Sequence, residues 1–142
     1  MTETLVVAPR FCGPPGTANG GYVAGLLARG LSGAVEVTLR AAAPLATPLD
    51  VSDVADGARL LTLQGRELAR ATRATLVLEL PPRPPLELVE AHSGDCRAMR
   101  THPFPRDFVC GPARAPGDGL RIFPGVVPGS DRIAALWLPD AS

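Results

Sequence analysis

A glycine-rich turn that runs directly into a short apolar helix is the feature that most constrains the fold of this chain. Residues 13–31 read GPPGTANGGYVAGLLARGL, and Arg29 is the single charged residue among them. Asn19 is a favourable N-cap, and the apolar residues after it predict a helix from Gly20 to about Leu31. Because such a helix has no polar face, we expect protein around most of its circumference, with a sheet wrapped about it.

The turn begins like the phosphate-binding loop GxxxxGK[ST], but the match ends after its first residues. Counting from Gly13, Ala18 stands at the second glycine, Asn19 at the lysine and Gly20 at the metal-binding hydroxyl. The chain contains no lysine at any position. Nucleotide hydrolysis is therefore not expected, since the phosphates would lack their main electrostatic partners.

Composition limits the size of the core and the classes of partner. A chain of 142 residues with 46% apolar content can form one domain with a core, plus appendages. Its 14 basic and 14 acidic residues balance and are scattered, which argues against nucleic acid or a membrane as a partner. No apolar run approaches the roughly 20 residues that cross a bilayer, and the N-terminus has no signal-peptide pattern. We expect a cytoplasmic protein.

The cysteines do not form a recognisable framework. Cys12, Cys96 and Cys110 are odd in number and unrelated in spacing, which favours reduced, structural thiols over disulfides. They could instead form a metal site with His92 and His102, but no CxxC or HxxxH pair is present. We therefore predict no metal site and no cofactor.

The residues after the helix predict an antiparallel meander. Residues 34–40 alternate strictly between apolar and polar, as in a strand buried on one side. Asp56-Gly57 and Gln64-Gly65 are turn signals between apolar runs. The predicted strands are residues 3–9, 34–40, 49–55, 59–63 and 67–80.

A strand, a central helix and an antiparallel meander follow one another in the hot-dog fold, an α+β fold in which a curled sheet wraps one helix. The run NGGYVAGLL at residues 19–27, then VEVTLR at 35–40 and Pro44-Leu45, resembles the thioesterase-like hot-dog superfamily. It is most similar to the double hot-dog acyl-CoA thioesterase II-like group. The resemblance covers about the first 80 residues, which we assign to a hot-dog domain, residues 1–80.

The remaining residues are predicted to form a Pro-rich linker, residues 81–103, and an incomplete second hot-dog unit or dimerisation extension, residues 104–142. FVCG at 108–111 and GLR at 119–121 are similar to the opening segment of many single hot-dog thioesterases, although Asp107 stands where a first cysteine is common. Strands are predicted at residues 120–124 and 133–138. The absence of a second glycine-led helix implies a truncated double hot-dog or a chain that completes itself as a homodimer or larger homo-oligomer.

The resemblance implies acyl-thioester chemistry at the start of the helix. The predicted substrate-binding residues are Asn19, Gly20, Gly21 and Tyr22. The backbone N–H groups of the last three could polarise the carbonyl of an acyl-CoA or acyl-carrier thioester. For the Asn19 side chain, capping of the helix is favoured over contact with substrate.

No residue is assigned as catalytic, because the helix carries no acid. Glu36, Asp50, Asp53 and Asp56 are the remaining candidates, and each fits a solvated surface charge better. In the double hot-dog group the acid belongs to the repeat that this chain lacks. The predicted function is therefore binding of an acyl thioester, with hydrolysis if a partner chain or missing repeat supplies the base. The alternative is a non-catalytic hot-dog scaffold or oligomerisation module.

Overall fold

The computed structural model describes residues 2–93, 95 and 100–139. It divides the chain into two compact units, Met1–Leu78 and Glu79–Ser142. The prediction of a hot-dog domain concerns the first unit, and the prediction of a second, incomplete one concerns the other.

The first unit is an α+β structure with one antiparallel sheet. Its elements are β1 (Thr2–Val6), one turn of 3-10 helix (Pro9–Phe11), α1 (Gly20–Ala28), β2 (Val35–Leu39), β3 (Pro48–Asp53), β4 (Arg59–Leu63) and β5 (Arg66–Arg73). The strands lie in the order β1-β3-β4-β5-β2, and every neighbouring pair is antiparallel. The succession of strand, helix, strand and meander is the order predicted for a hot-dog fold.

Two tight turns set the register of the meander. At the β3–β4 hairpin Gly57 has a φ of 79°, and the Ala58 amide donates to the Asp56 carboxylate over 3.1 Å. At the β4–β5 turn Gln64 and Gly65 both have positive φ, 51° and 78°. The two consecutive positive φ values at Gln64-Gly65 match the twist of the flanking strands. The antiparallel pairing of β3 with β4 and of β4 with β5 confirms both predicted hairpins.

The core of the first unit lies between one face of α1 and the sheet. Leu27 of the helix and Leu49 and Leu61 of the sheet are fully buried, and Val23 is nearly so. The opposite face of the helix, which carries Gly21, Gly25 and Arg29, is exposed. The expectation of protein around most of the helix is therefore not met within the described residues of the first unit, because the five strands cover only one side of it.

The last strand is shorter than predicted. It ends at Arg73 instead of Leu80, and the Ala74 amide donates to the Ala34 carbonyl as the final contact with the β2 side of the sheet. Beyond Ala34 the neighbouring chain turns away at Gly33, where φ is 83°. Residues 76–78 are β-prone but exposed, since a strand needs a neighbour to pair with.

The second unit contains little regular structure. Its described residues form one helix, α2 (Leu86–Ser93), inside the predicted linker, and a two-stranded hairpin of β6 (Gly125–Val126) and β7 (Ile133–Ala134). The strand predicted at residues 120–124 is wrong, and the one at 133–138 is confirmed only for its first two residues. Gly125 lies so close to the His92 carbonyl that a side chain there would collide with it. An incomplete second hot-dog unit stays a prediction.

Neither helix in the described ranges could cross a membrane, because both are far too short.

Candidate functional site

The amino end of α1 borders an open, mostly apolar pocket of about 310 Å³. Three segments supply its walls: the turn before the helix, the first turn of the helix, and residues 39–43 after β2. Gly20 and Val23 line it from the helix, and Leu39 and Arg40 line it from the end of β2. The predicted helix start therefore lies at a concave surface in this unit.

The Asn19 side chain caps the helix, as predicted. Its Oδ1 accepts the Tyr22 amide over 3.1 Å, and its carbonyl accepts the Val23 amide over 3.0 Å. The Asn19 amide donates in turn to the Phe11 carbonyl over 2.8 Å. The Tyr22 amide, one of the three predicted donors to a substrate oxygen, therefore already donates to Asn19.

The amides of Gly20 and Gly21 have no acceptor among the residues that the structure describes. They are the first two amides of the helix, whose aligned peptide dipoles place partial positive charge at this end. Gly20 faces the pocket, while Gly21 is exposed beside it. The arrangement can accept a carbonyl or anionic oxygen, but no contact with substrate tests the predicted role of these residues.

The turn that leads into the helix is held on both sides. The Gly13 amide donates to Thr17 over 2.9 Å, and the Ala18 amide donates to Ala43 over 2.8 Å. The ring of Tyr22 stacks on Phe11 with centroids 3.8 Å apart and an interplanar angle of 8°. Backbone pairing and one aromatic stack thus hold this turn in place.

A side chain at the first position of the helix would contact Leu39 across the pocket wall. A Cβ on Gly20 would lie 2.8 Å from Leu39 Cδ1, whereas a Cβ on Gly21 would lie 3.4 Å from Asn19 Oδ1. Any side chain at Gly20 must therefore displace Leu39, which lines the pocket. The Gly-Gly pair in the sequence indicated this site, but not which glycine contacts the wall.

An ion pair lies at the rim of the pocket. Arg40 Nε donates to Glu67 Oε1 over 2.5 Å, and both side chains remain partly exposed. The pairing joins residues 27 positions apart, because β2 and β5 are neighbours in the sheet. No local sequence pattern indicates this pair, since only the strand order brings the two residues together.

The four acids considered from the sequence do not line the pocket. Glu36, Asp50, Asp53 and Asp56 are all exposed, as expected for surface charges. Asp53 pairs with Arg59 over 3.0 Å, and Asp56 pairs with Arg70. A different carboxylate, that of Glu67, is paired with Arg40, which lines the pocket.

A second, more polar pocket lies near the other end of the helix. Arg59 lies within it, with its side chain largely buried, and pairs with both Glu3, over 3.1 Å, and Asp53. The guanidinium also occupies the space that a side chain at Gly30 would need. These contacts join the end of α1 to three strands, so we assign Arg59 a structural role.

The histidines and cysteines considered as metal ligands do not meet at one site in the described residues. His92 pairs with Asp95 over 3.4 Å, while His102 Nε2 lies 3.1 Å from Cys110 Sγ. Cys96 lies outside the described residues. Within the described ranges, no group of three or more His, Cys, Asp or Glu side chains is arranged so that it could hold a metal ion.

Comparison with known proteins adds one likeness. No family model matches the chain, and no curated protein matches it. A crystal structure titled as a thioesterase superfamily protein is similar to part of it. The two are 22% identical with a TM-score of 0.41, over 49% of this chain and 47% of the other. The chain thus spans about half the length of that protein, and function must be argued from the pocket itself.

Proposed function

We propose that the first unit binds an acyl thioester, with the carbonyl oxygen at the first turn of α1 and the acyl chain in the adjoining pocket. The observation that carries this proposal is that the Gly20 amide, which has no acceptor among the described residues, lies at an apolar cavity, with the Gly21 amide next to it in the chain. A thioester has the same two parts, a polar carbonyl and an apolar chain.

The amides would bind the carbonyl oxygen more strongly as negative charge develops on it. A well-placed backbone donor of this kind contributes about 3 kcal/mol to the stabilisation of an oxyanion. The cavity of about 310 Å³ lies at the lower end of the range for small-molecule sites. It suits a short acyl chain, or the carbonyl end of a longer one.

Arg40 and Glu67 provide charge where the thioester would leave the pocket. An arginine has five N–H donors, so the single bond from Nε to Glu67 leaves others for a phosphate of acyl-CoA or of an acyl carrier. Glu67 is the candidate base for hydrolysis in this unit. A carboxylate from a partner chain or a further repeat is the alternative that the family resemblance implies.

A non-catalytic hot-dog scaffold or oligomerisation module is the second candidate. Strands β1 and β2 are the two edges of the described sheet, and the apolar side chains of Leu76, Val77 and Leu78 are exposed beyond β5. Unpaired edges and exposed apolar runs favour association with another chain. Under this proposal the chain forms a homo-oligomer whether or not a thioester is present.

Two variants, each with one alanine replaced by phenylalanine, test the thioester site. Ala42 lines the pocket and is exposed, so Ala42→Phe would fill the cavity without disturbing the core. Ala55, an exposed residue at the β3–β4 hairpin, provides the matched control Ala55→Phe. Titration calorimetry with a series of acyl-CoA esters should show at least about tenfold weaker binding for Ala42→Phe and no change for Ala55→Phe.

Two results would refute the proposal that this unit binds an acyl thioester. One is the absence of binding by acyl-CoA esters of every length tested. The other is equal affinity of the wild type and Ala42→Phe. If instead the chain oligomerises and no ester alters its association, the scaffold function is supported.

A further inference from the structure

Strand β2 is an edge of the described sheet, with β5 on one side of it. The Ala34 carbonyl accepts the Ala74 amide over 2.9 Å, and the Arg40 amide donates to the Leu68 carbonyl over 2.8 Å. Because backbone groups alternate in direction along an antiparallel strand, the even-numbered residues of β2 bond to β5, and the odd-numbered residues direct their amides and carbonyls away from it. This outer row of donors and acceptors suits pairing with a strand of another chain.

The side chains of β2 and of the residue after it divide into an apolar face and a charged face. Val37 packs against the core, and Leu39 on the same face is 49% exposed. Glu36 and Arg40 are exposed on the opposite face, at equal distances in sequence from Thr38. An acid and a base placed symmetrically about one residue are self-complementary when the strand meets a second copy of itself in antiparallel orientation.

We propose that two copies of this chain associate through their β2 strands, paired antiparallel about Thr38. In this register Glu36 lies opposite the partner's Arg40, in a pair without backbone hydrogen bonds, where side chains are closest. Val37 and the partner's Leu39 form a hydrogen-bonded pair, because the odd-numbered residues carry the outward backbone groups. The same pairing covers the exposed side chain of Leu39.

The charges favour this register over its neighbours. Pairing centred on Glu36 or on Arg40 would set like charges directly opposite each other, which destabilises a sheet. Pairing centred on Val37 or on Leu39 keeps the outward backbone bonds but sets each charged residue opposite a neutral one. Among these registers, pairing about Thr38 alone brings two opposite charges together.

The other edge strand, β1, has no such pattern. Glu3 is the only charged residue from Thr2 to Val6, and it pairs with Arg59 over 3.1 Å. A second copy of β1 therefore has no cation to place opposite Glu3. The charge pattern thus selects β2 as the edge that pairs with its own copy.

The inference goes beyond the proposed function and holds whether or not a thioester binds. Arg40 bonds to Glu67 through Nε alone, so its terminal nitrogens remain for the partner's Glu36. Leu39 and Arg40 also line the pocket at the start of α1. The association therefore brings a second chain, with its Glu36 carboxylate, to the rim of that pocket.

Cysteine cross-linking tests the register, with Thr38→Cys as the variant and Thr4→Cys as the matched control. Thr38 faces its own copy at a Cα separation of about 4.5 Å, which lies within the range for disulfides. Thr4 is an exposed threonine on the other edge strand. With diamide as the oxidant, we expect Thr38→Cys to form a dimer linked through position 38 at least about tenfold faster than Thr4→Cys forms one through position 4. Peptide mass spectrometry identifies the linked residues.

Charge exchange tests the ion pairs. Glu36→Arg sets two arginines opposite each other, and Arg40→Glu sets two carboxylates opposite each other. Each variant should raise the dissociation constant of the dimer at least about tenfold, measured by analytical ultracentrifugation. An equimolar mixture of the two variants restores opposite charges at both positions, so its heterodimer should dissociate within about threefold of the wild-type constant. Circular dichroism checks that both variants fold.

Three results would each overturn the proposal. One is a wild-type chain that does not self-associate. The second is a Thr38→Cys chain that cross-links no faster than Thr4→Cys. The third is a mixture of the two folded charge variants that associates no better than either variant alone.

Discussion

Asn19 offers a way to separate stability from ligand binding at the start of α1. Its side chain accepts the Tyr22 amide, and this bond is part-buried. In Asn19→Ala that amide loses its acceptor, and loss of an N-cap costs about 1 kcal/mol. For a unit of this size we expect the melting temperature to fall by about 4–8 °C.

The matched variant is Asn19→Asp, which retains an oxygen at the capping position and adds a negative charge. The charge is favourable for the helix, because the N-terminal end is partially positive. The added charge disfavours a thioester oxygen at the Gly20 and Gly21 amides, because the carboxylate and the partially negative carbonyl oxygen repel each other. Asn19→Asp should therefore keep the wild-type melting temperature and bind acyl-CoA several-fold more weakly.

The assay combines thermal unfolding, followed by circular dichroism, with calorimetric titration of the same three proteins. Asn19→Ala should be destabilised, and Asn19→Asp should be impaired in binding alone. If Asn19→Asp loses as much stability as Asn19→Ala, the side chain does not act mainly as a cap. If Asn19→Asp binds acyl-CoA as well as the wild type, the oxygen is not bound at this helix end.

Two further predictions concern the core and the exposed apolar run. Leu61 is fully buried in β4, so Leu61→Ala should lower the free energy of unfolding by about 2–5 kcal/mol, measured by urea denaturation, and a loss below 1 kcal/mol would contradict its place in the core. Val77 is 87% exposed beyond β5, so Val77→Lys should weaken self-association without lowering the melting temperature. Analytical ultracentrifugation measures this, and a wild-type chain that is monomeric at all concentrations would refute the role of Val77.

Local signals in the sequence predicted the parts of the fold that depend on near neighbours. Asn19 before an apolar run predicted the helix and its cap, and Asp56-Gly57 and Gln64-Gly65 predicted the hairpins. Each of these features depends on the backbone preferences of a few consecutive residues, which can be read from the local sequence. The alternation in residues 34–40 likewise predicted β2.

Strand predictions were wrong where strand formation depends on pairing with residues distant in the sequence. The residues after Arg73 are β-prone, but the neighbouring strand pairs with this segment only as far as Ala34. Beyond that point the segment has no adjacent strand in the described residues. In the second unit, residues 120–124 have strand propensity but form no strand, while a helix forms in the predicted linker. Propensity is a weak guide when long-range pairing decides the outcome.

Interactions between residues close in the chain specify a capped apolar helix that begins at two glycines, and the hairpins of the sheet that packs on it. Tertiary structure alone decided that this helix start borders a pocket, that Arg40 and Glu67 meet at its rim, and that His102 and Asp107 flank Cys110. Caps and turns follow from interactions between residues close in the chain. Pockets and side-chain clusters depend on strand order and loop closure, which join residues that no local pattern connects.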